Sequence, residues 1–462
     1  MKKDIDLLHG NIAKTLFRVS LPLMGTAFVQ MAYALVDLLW LGKLSTNAVA
    51  AVGTSGFFVW ISQAIMLIAS TGIAVGLSQA YGKGDNKLAE KIVRSGFQIN
   101  AFNCLLIMFF YIFFRKNIIG MYNLEPVVEK MTLDYFLIVT LGFIFTFSTA
   151  AKSSTFYAKG NSLTPFRVST ISLIINIILD PILIFGIGPI PGFGVAGAAI
   201  ATVFSQFINA AMYYYLGVKY REIYYKVNYL KISDRESIFD ILRLGVPVAM
   251  QSVMHALVGV KLNQYIAGFG AAGIAVYAIG SQIESISWMT AEGFSKAFSA
   301  FFGQNYGARD FERLKDGKKE GMKIIVSIGI FATLLLFFFS KQLFSIFISN
   351  DPHVVEMGSW YLKIIAISEL FMSIEIGITG MLNGLGLTKY PAINGVVLNI
   401  ARIPFALILM PLFQLNGIWA SMSLSSVLKG IAMLIIYAVL SNKTNGFREN
   451  MSKYVHKEQE II

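Results

Sequence analysis

Twelve apolar stretches, each long enough to cross a bilayer, divide this chain and leave little room for anything else. They fall near 15–41, 48–80, 95–114, 130–158, 164–188 and 194–217, then near 240–267, 272–305, 321–345, 357–383, 391–413 and 417–440. A membrane-spanning helix needs about 20 mostly apolar residues. The strands of a membrane barrel would instead be segments of about ten residues that alternate polar and apolar. Runs such as CLLIMFFYIFF and IIVSIGIFATLLLFFF do not alternate, so the spans read as helices. Only 14% of the residues are charged, against about 25% in an ordinary soluble domain. That excludes a disordered chain and argues against a soluble enzyme. The single cysteine, Cys104, lies inside an apolar run, which speaks against a disulfide framework or a cysteine metal cluster. The N-terminus carries Asp4 and Asp6 before any apolar run and does not read as a cleavable signal peptide. The fold class expected is all-α: a polytopic membrane protein with twelve transmembrane helices in two pseudo-symmetric six-helix lobes.

The net charge of +12 would suggest nucleic acid in a soluble protein. Here it fits the excess of Lys and Arg found in cytoplasmic loops, and no nucleic-acid partner is expected. With the N-terminus inside, most of the basic residues fall on one side, including Lys83, Lys87, Lys91 and Arg94, the segment Val218–Ser237, and Arg309 to Lys319. Both termini are then cytoplasmic. The domain reading is an N-terminal lobe over 1–217, a basic cytoplasmic linker over 218–237, a C-terminal lobe over 238–440 and a cytoplasmic tail over 441–462.

The halves are related by duplication. GLSQAYGKGDNKLAEKIVRSG aligns with AFFGQNYGARDFERLKDGKKEG, matching Gln79, Tyr81, Gly82, Asp85 and Gly96 to Gln304, Tyr306, Gly307, Asp310 and Gly321. Pro22 meets Pro247, Tyr135 meets Tyr361, Gly160 and Thr164 meet Gly384 and Thr388, and Asn176, Pro181 and Gly194 meet Asn399, Pro404 and Gly417. Six spans per repeat is an even number, so both halves enter the membrane in the same direction. Transporters built from such repeats place substrate at the repeat interface and rock the halves against each other. Residues kept in both halves read as architecture. In the shared YGxxD motif the glycine is expected to supply a positive-φ helix exit and the aspartate to cap the next helix.

Residues in one half only are the better candidates for chemistry, because a charge within the bilayer is costly. Asp37 and Asp180 have apolar repeat counterparts, Leu262 and Ile403. Asn176 shares a helix face with Asp180, Pro181 frees a backbone carbonyl one turn earlier, and Thr202 offers a hydroxyl from the next helix. These oxygens suit a proton or a hard monovalent cation such as sodium; no other metal and no cofactor is expected. Phe28, Met31 and Tyr33, on the Asp37 helix, are candidates for lining a substrate cavity, as is Glu375 in the second half. That half also carries His255, Lys261, Glu284, Glu292, Lys296, Glu369 and Arg402. Glu292 and Lys296 are spaced as a structural pair, Lys261 and Glu284 could neutralise each other, and His255 reads as a packed histidine rather than a metal ligand. Roles for His255, Lys261, Glu284 and Glu369 cannot be assigned from the sequence.

Taken together, SLPLMGTAFVQMAYALVDLLWLGKL, SQAYGKGD, NIILDPILIFG and NGLGLT, in this order, resemble the multidrug and toxic compound extrusion (MATE) transporters, over essentially the whole chain. The resemblance implies a V-shaped pair of six-helix lobes that exports small organic cations and drugs against proton or sodium entry. It maps the amino-lobe cation site onto Asp37, Asn176, Asp180 and Thr202, and a helix bend onto Pro22. The aspartate pair is similar to the archaeal and DinF-like branch more than to the NorM-like branch, whose seventh helix carries an acid where this chain has His255 and Lys261. A monomer in the plasma or inner membrane of a prokaryote is implied. The rival readings are a flippase for lipid-linked oligosaccharides or a metabolite exporter of the same superfamily, and a passive channel. With no nucleophile–base set and no cofactor fingerprint, an enzyme is not expected.

Overall fold

A computed structural model describes residues 4–348 and 351–448, so most of the expected tail, 449–462, lies outside the described residues. The chain is almost entirely helical. In order come α1 (Ile12–Leu44), α2 (Thr46–Lys83), α3 (Asn86–Gly120), α4 (Pro126–Ala158), α5 (Leu163–Phe185) and α6 (Val195–Tyr220). The short α7 (Ile223–Lys226) precedes α8 (Arg235–Ala267), α9 (Ala271–Gly307) and α10 (Phe311–Phe338). The short α11 (Ser340–Ser345), then α12 (Pro352–Gly384), α13 (Lys389–Phe413) and α14 (Leu415–Lys443), complete the series. A two-residue antiparallel hairpin, Gly186–Ile187 with Ile190–Pro191, separates α5 from α6.

Nine of the twelve apolar stretches lie within one long helix each; 321–345 is divided between α10 and the short α11, 164–188 runs past α5 into the hairpin, and 194–217 begins one residue before α6. Among the described residues, eleven helices are long and apolar enough to cross a membrane. The remaining long helix, α9, has 37 residues, but Glu284, Glu292, Lys296 and its serines dilute the apolar character that length alone would give.

Two compact units are present. Unit 1 comprises Gly25–Leu77 and Asp85–Ala249, with Asp4; unit 2 comprises Ile5–Met24, Ser78–Gly84 and the chain from Met250 onward. The boundaries therefore do not fall at the central loop. In α1 and α8 the division comes just after Pro22 and Pro247, prolines matched by the duplication, and both helices run through it without a break.

The segment expected as a basic linker is folded onto unit 1. Gln98 of α3 donates to the carbonyls of Tyr229 and Lys231, both at 2.9 Å, and accepts from the Ser233 amide at 3.1 Å. Phe97 stacks on Tyr229 with ring centroids 5.4 Å apart, and the Tyr224 hydroxyl donates to the Tyr213 carbonyl at 2.7 Å. Tyr224 within the basic run buries against α3 and α6, and Tyr229 stacks on α3 from a more exposed position, which charge counting alone does not register. Deeper in unit 1, Phe58, Tyr111, Phe136, Phe143 and Phe147 pack as one aromatic cluster. In unit 2, Tyr361 meets Trp419 edge-on at 5.3 Å, and both are fully buried.

The YGxxD motifs behave partly as expected. Asp85 and Asp310 are N-caps, accepting from the Leu88 and Arg313 amides at 2.9 Å in each case. The motif's shared glycine has a different purpose. Positive φ occurs at Gly84 and Arg309, not at Gly82 or Gly307. A Cβ on Gly82 would stand 1.9 Å from the Gln304 carbonyl oxygen, and one on Gly307 would stand 2.1 Å from that of Gln79. The glycines permit reciprocal backbone approach within unit 2, which explains why the duplication keeps them.

Candidate functional site

The amino-half site is assembled inside unit 1 from α1, α5 and α6. Asn176 and Asp180 lie one turn apart on α5, and both are completely buried. Asn176 Nδ2 donates to Asp180 Oδ1 at 3.0 Å, and the Thr202 hydroxyl, from α6, donates to Asp37 Oδ2 at 3.2 Å. Asp37 lies close enough to Asp180 and Asn176 for the three side chains to interact. The structure thus brings together all four residues singled out in the sequence.

What the site leaves open is as informative. Asp37 Oδ1, Asp180 Oδ2 and Asn176 Oδ1 are buried and accept no hydrogen bond among the described residues. Pro181 lies within α5 and lacks an N–H, so the carbonyl one turn earlier also loses its helical partner. Buried polar oxygens ordinarily have partners, and each left without one costs about 1–3 kcal/mol. A cluster of such oxygens, with two carboxyl groups among them, suits a proton or a bare monovalent cation.

Tyrosines complete the surroundings. The Tyr33 hydroxyl donates to Ser172 Oγ at 2.6 Å, and Ser172 donates to the Ser205 carbonyl at 2.6 Å, tying α1 to α5 and α6 beside the acids. Tyr33 is therefore held within unit 1 as a wall of the acid site. Phe28 and Met31 are half-buried on the same helix. Tyr135, buried on α4, also lies close to both aspartates. Sequence reasoning assigned Tyr135 to scaffold because it is duplicated, yet its counterpart Tyr361 also touches an acid, donating to Glu284 Oε2 at 2.8 Å. The shared tyrosine is a signal in the sequence that duplication alone reads as architecture.

The second half differs from expectation at several residues. Glu375 does not present a free carboxylate to a cavity: Lys429, on α14, pairs with it at 3.2 Å, and both side chains are under a tenth exposed. The sequence signal for Lys429 is a lone base in the apolar run SSVLKGIAMLII. Lys261 and Glu284 do not neutralise each other. Lys261 donates to Gln264 at 3.2 Å and lies over the Tyr265 ring, while Glu284 takes the Tyr361 hydroxyl. Glu369 accepts from the Ser287 hydroxyl, and its other oxygen is buried without a partner. Glu292 and Lys296 form the expected i,i+4 pair at 2.8 Å.

A bundle of long apolar helices with a buried, partly unsatisfied oxygen cluster is the constitution of a polytopic membrane transporter. The MatE family model matches residues 22–182 and 247–408, one match in each half, and the chain belongs to this family of transporters. The probable multidrug resistance protein NorM of Thermotoga maritima is 28% identical over 431 residues, covering 92% of each chain. The FAD transporter of Shewanella oneidensis is 25% identical over 451 residues, covering 94% of this chain and 96% of its own. Among solved structures, a MATE crystallised in complex with MaL6 superposes with a TM-score of 0.89 at 20% identity, covering 96% of this chain and all of that one, a likeness of fold.

Proposed function

We propose that this chain is a proton- or sodium-coupled antiporter that exports organic cations and drugs by alternating access, acting as a monomer in a prokaryotic plasma membrane with both termini cytoplasmic. The observation that carries the coupling is the set of partnerless buried oxygens on Asp37, Asn176 and Asp180. A proton between the two carboxyl groups, or a sodium ion held by these oxygens and Thr202, would satisfy them, so the two ions should compete. The duplication supports rocking of two halves, and the excess of Lys and Arg in alternate loops supports the orientation. The multidrug name of the Thermotoga relative supports the substrate class. The acid pair in the amino half supports the archaeal and DinF-like branch, although that relative is called NorM. A metabolite exporter is the second reading, favoured by the FAD transporter among the relatives and by the buried bases of the second half.

The test is efflux of a cationic dye from vesicles containing the purified chain under an imposed proton or sodium gradient. Asp37→Asn and Asp180→Asn should each abolish gradient-driven transport with the protein still inserted. Glu292→Gln, at a half-exposed pair worth about 0.3–0.5 kcal/mol, should leave it nearly intact. Wild-type rates in both aspartate variants would remove the coupling site from the amino half.

A further inference from the structure

Arg402 is a buried guanidinium to which no carboxylate is paired. Its Nε donates to Ser425 Oγ at 3.2 Å and its Nη2 to Ser426 Oγ at 3.1 Å, while Nη1 has no acceptor among the described residues. Glu284 and Glu375 lie near enough to offset its charge, but neither contacts it: Glu284 accepts from the neutral Tyr361 hydroxyl, and Glu375 pairs with the Lys429 ammonium. A guanidinium is a planar fork of five donors matched to the oxygens of a carboxylate or phosphate. Held against two neutral hydroxyls, it forgoes the bidentate pairing with a carboxylate or phosphate that its fork is shaped for. The charge of Arg402 is balanced from beyond contact distance, so what the guanidinium lacks is an anionic group seated directly on its fork, and an anion arriving from outside would supply one.

The duplication sharpens this. Asn176, Pro181 and Thr202 in the first half correspond to Asn399, Pro404 and Ser425 in the second. In the first half this frame holds acids, with Asn176 donating to Asp180 and Thr202 to Asp37. In the second it holds bases: Ser425 accepts from Arg402, and Lys429 follows one turn later on α14. The same scaffold positions thus serve opposite charges. His255, on α8, lies close to both Arg402 and Lys429, with Asn399 within hydrogen-bonding reach. It is less buried than Arg402, Lys429 and Asn399, and so stands at the edge of the cluster.

We propose that unit 2 carries a binding site for the anionic group, a carboxylate or a phosphate monoester, of an organic substrate. Arg402 is its principal ligand, Lys429 adds positive potential, and His255 stands at its entrance. Calling the ligand a substrate rests on the exporter reading; the binding event itself requires no ion gradient.

Riboflavin and riboflavin 5′-phosphate share one fluorescent ring system and differ by a phosphate monoester, so the pair isolates the anionic group. The full chain, purified into nanodiscs without a gradient, is titrated with each. Wild type should bind the phosphate ester about tenfold more tightly or better, as one charge-assisted contact allows. Arg402→Gln should bring the two flavins to equal affinity. Arg402→Lys, which keeps the charge and loses the fork, should retain part of the preference. Asp37→Asn should preserve the preference even where it abolishes gradient-driven efflux, so a failure of the coupling reading is distinguishable from a failure of this site. No tighter binding of the phosphate ester by wild type would overturn the proposal. So would an unchanged preference in monodisperse Arg402→Gln, since a purely structural arginine alters stability without altering discrimination. Should Arg402→Gln fail to fold, an unchanged preference in both Arg402→Lys and His255→Gln would overturn it equally.

Discussion

Replacing Lys429 by methionine keeps most of the side-chain volume and removes one charge from a buried pair. In the native protein the ammonium sits 3.2 Å from Glu375, and both side chains are nearly sealed from solvent. The variant leaves the Glu375 carboxylate buried without its counter-ion, a change that costs about 3–5 kcal/mol. For a unit of this size each kcal/mol moves a melting temperature by about 2–4 °C. Lys429→Met should therefore melt at least about 6 °C below wild type, as read by fluorescence-detected size-exclusion after heating in detergent. Glu375→Gln, which strands the ammonium instead, should fall by a similar amount. The double variant carries no uncompensated charge and should recover most of the loss, because replacing a whole buried pair is often neutral. The non-additivity would amount to a coupling of about 2 kcal/mol or more, within the range for residues in direct contact. If Lys429→Met melts within about 2 °C of wild type, the pair is not an energetic unit and Glu375 returns as a candidate ligand in its own right. A Glu375→Gln variant of normal stability that no longer transports would point the same way.

Gly82→Ala and Gly307→Ala should each destabilise unit 2 by about 1–3 kcal/mol or prevent folding, since the added methyl would lie 1.9 or 2.1 Å from a carbonyl oxygen; a thermal shift measures this, and unchanged melting would refute the close approach. Gly84→Ala has open space around it, and should cost only the strain of its positive φ. At the start of α8, the Ser237 hydroxyl, bonded at 2.7 Å to Asp234, holds that carboxyl below its ordinary value. The stabilisation is therefore present above the unfolded pKa and lost as pH falls through the lower, folded one. Amide protection factors over 235–238, exchange rates corrected for the intrinsic pH dependence, should fall below about pH 3.8 relative to pH 6; equal protection factors at both would refute it.

The helical architecture was legible because a bilayer leaves a chain few options, and length and hydropathy suffice to find its spans. The amino-half site was legible for a related reason. Asp37 and Asp180 are expensive in their surroundings and absent from the matching repeat, so cost and asymmetry together singled them out. Asn176 followed from helix spacing, and Thr202 from its place on the next helix. The second half resisted the same treatment because it holds several charges, and pairing among them depends on helix rotation. Glu375 finds Lys429 across two helices, and Glu284 finds Tyr361 rather than Lys261, contacts that no spacing rule encodes.

The assumption that duplicated residues are merely architectural failed in an instructive way. Gly82 and Gly307 are architectural, although through close approach rather than backbone conformation. Tyr135 and Tyr361 are duplicated and yet stand beside acids in both halves, near Asp37 and Asp180 in one and bonded to Glu284 in the other. Thr202 and Ser425 are also a matched pair of hydroxyls, one donating to a carboxylate and the other accepting from a guanidinium. A hydroxyl can do either, because it is both donor and acceptor. Retaining such groups in both repeats lets one scaffold hold an acid site in one half and a basic site in the other. Function here lies in what each half adds to a shared polar frame, so residues kept in both repeats bear on the chemistry as much as the charges that distinguish them.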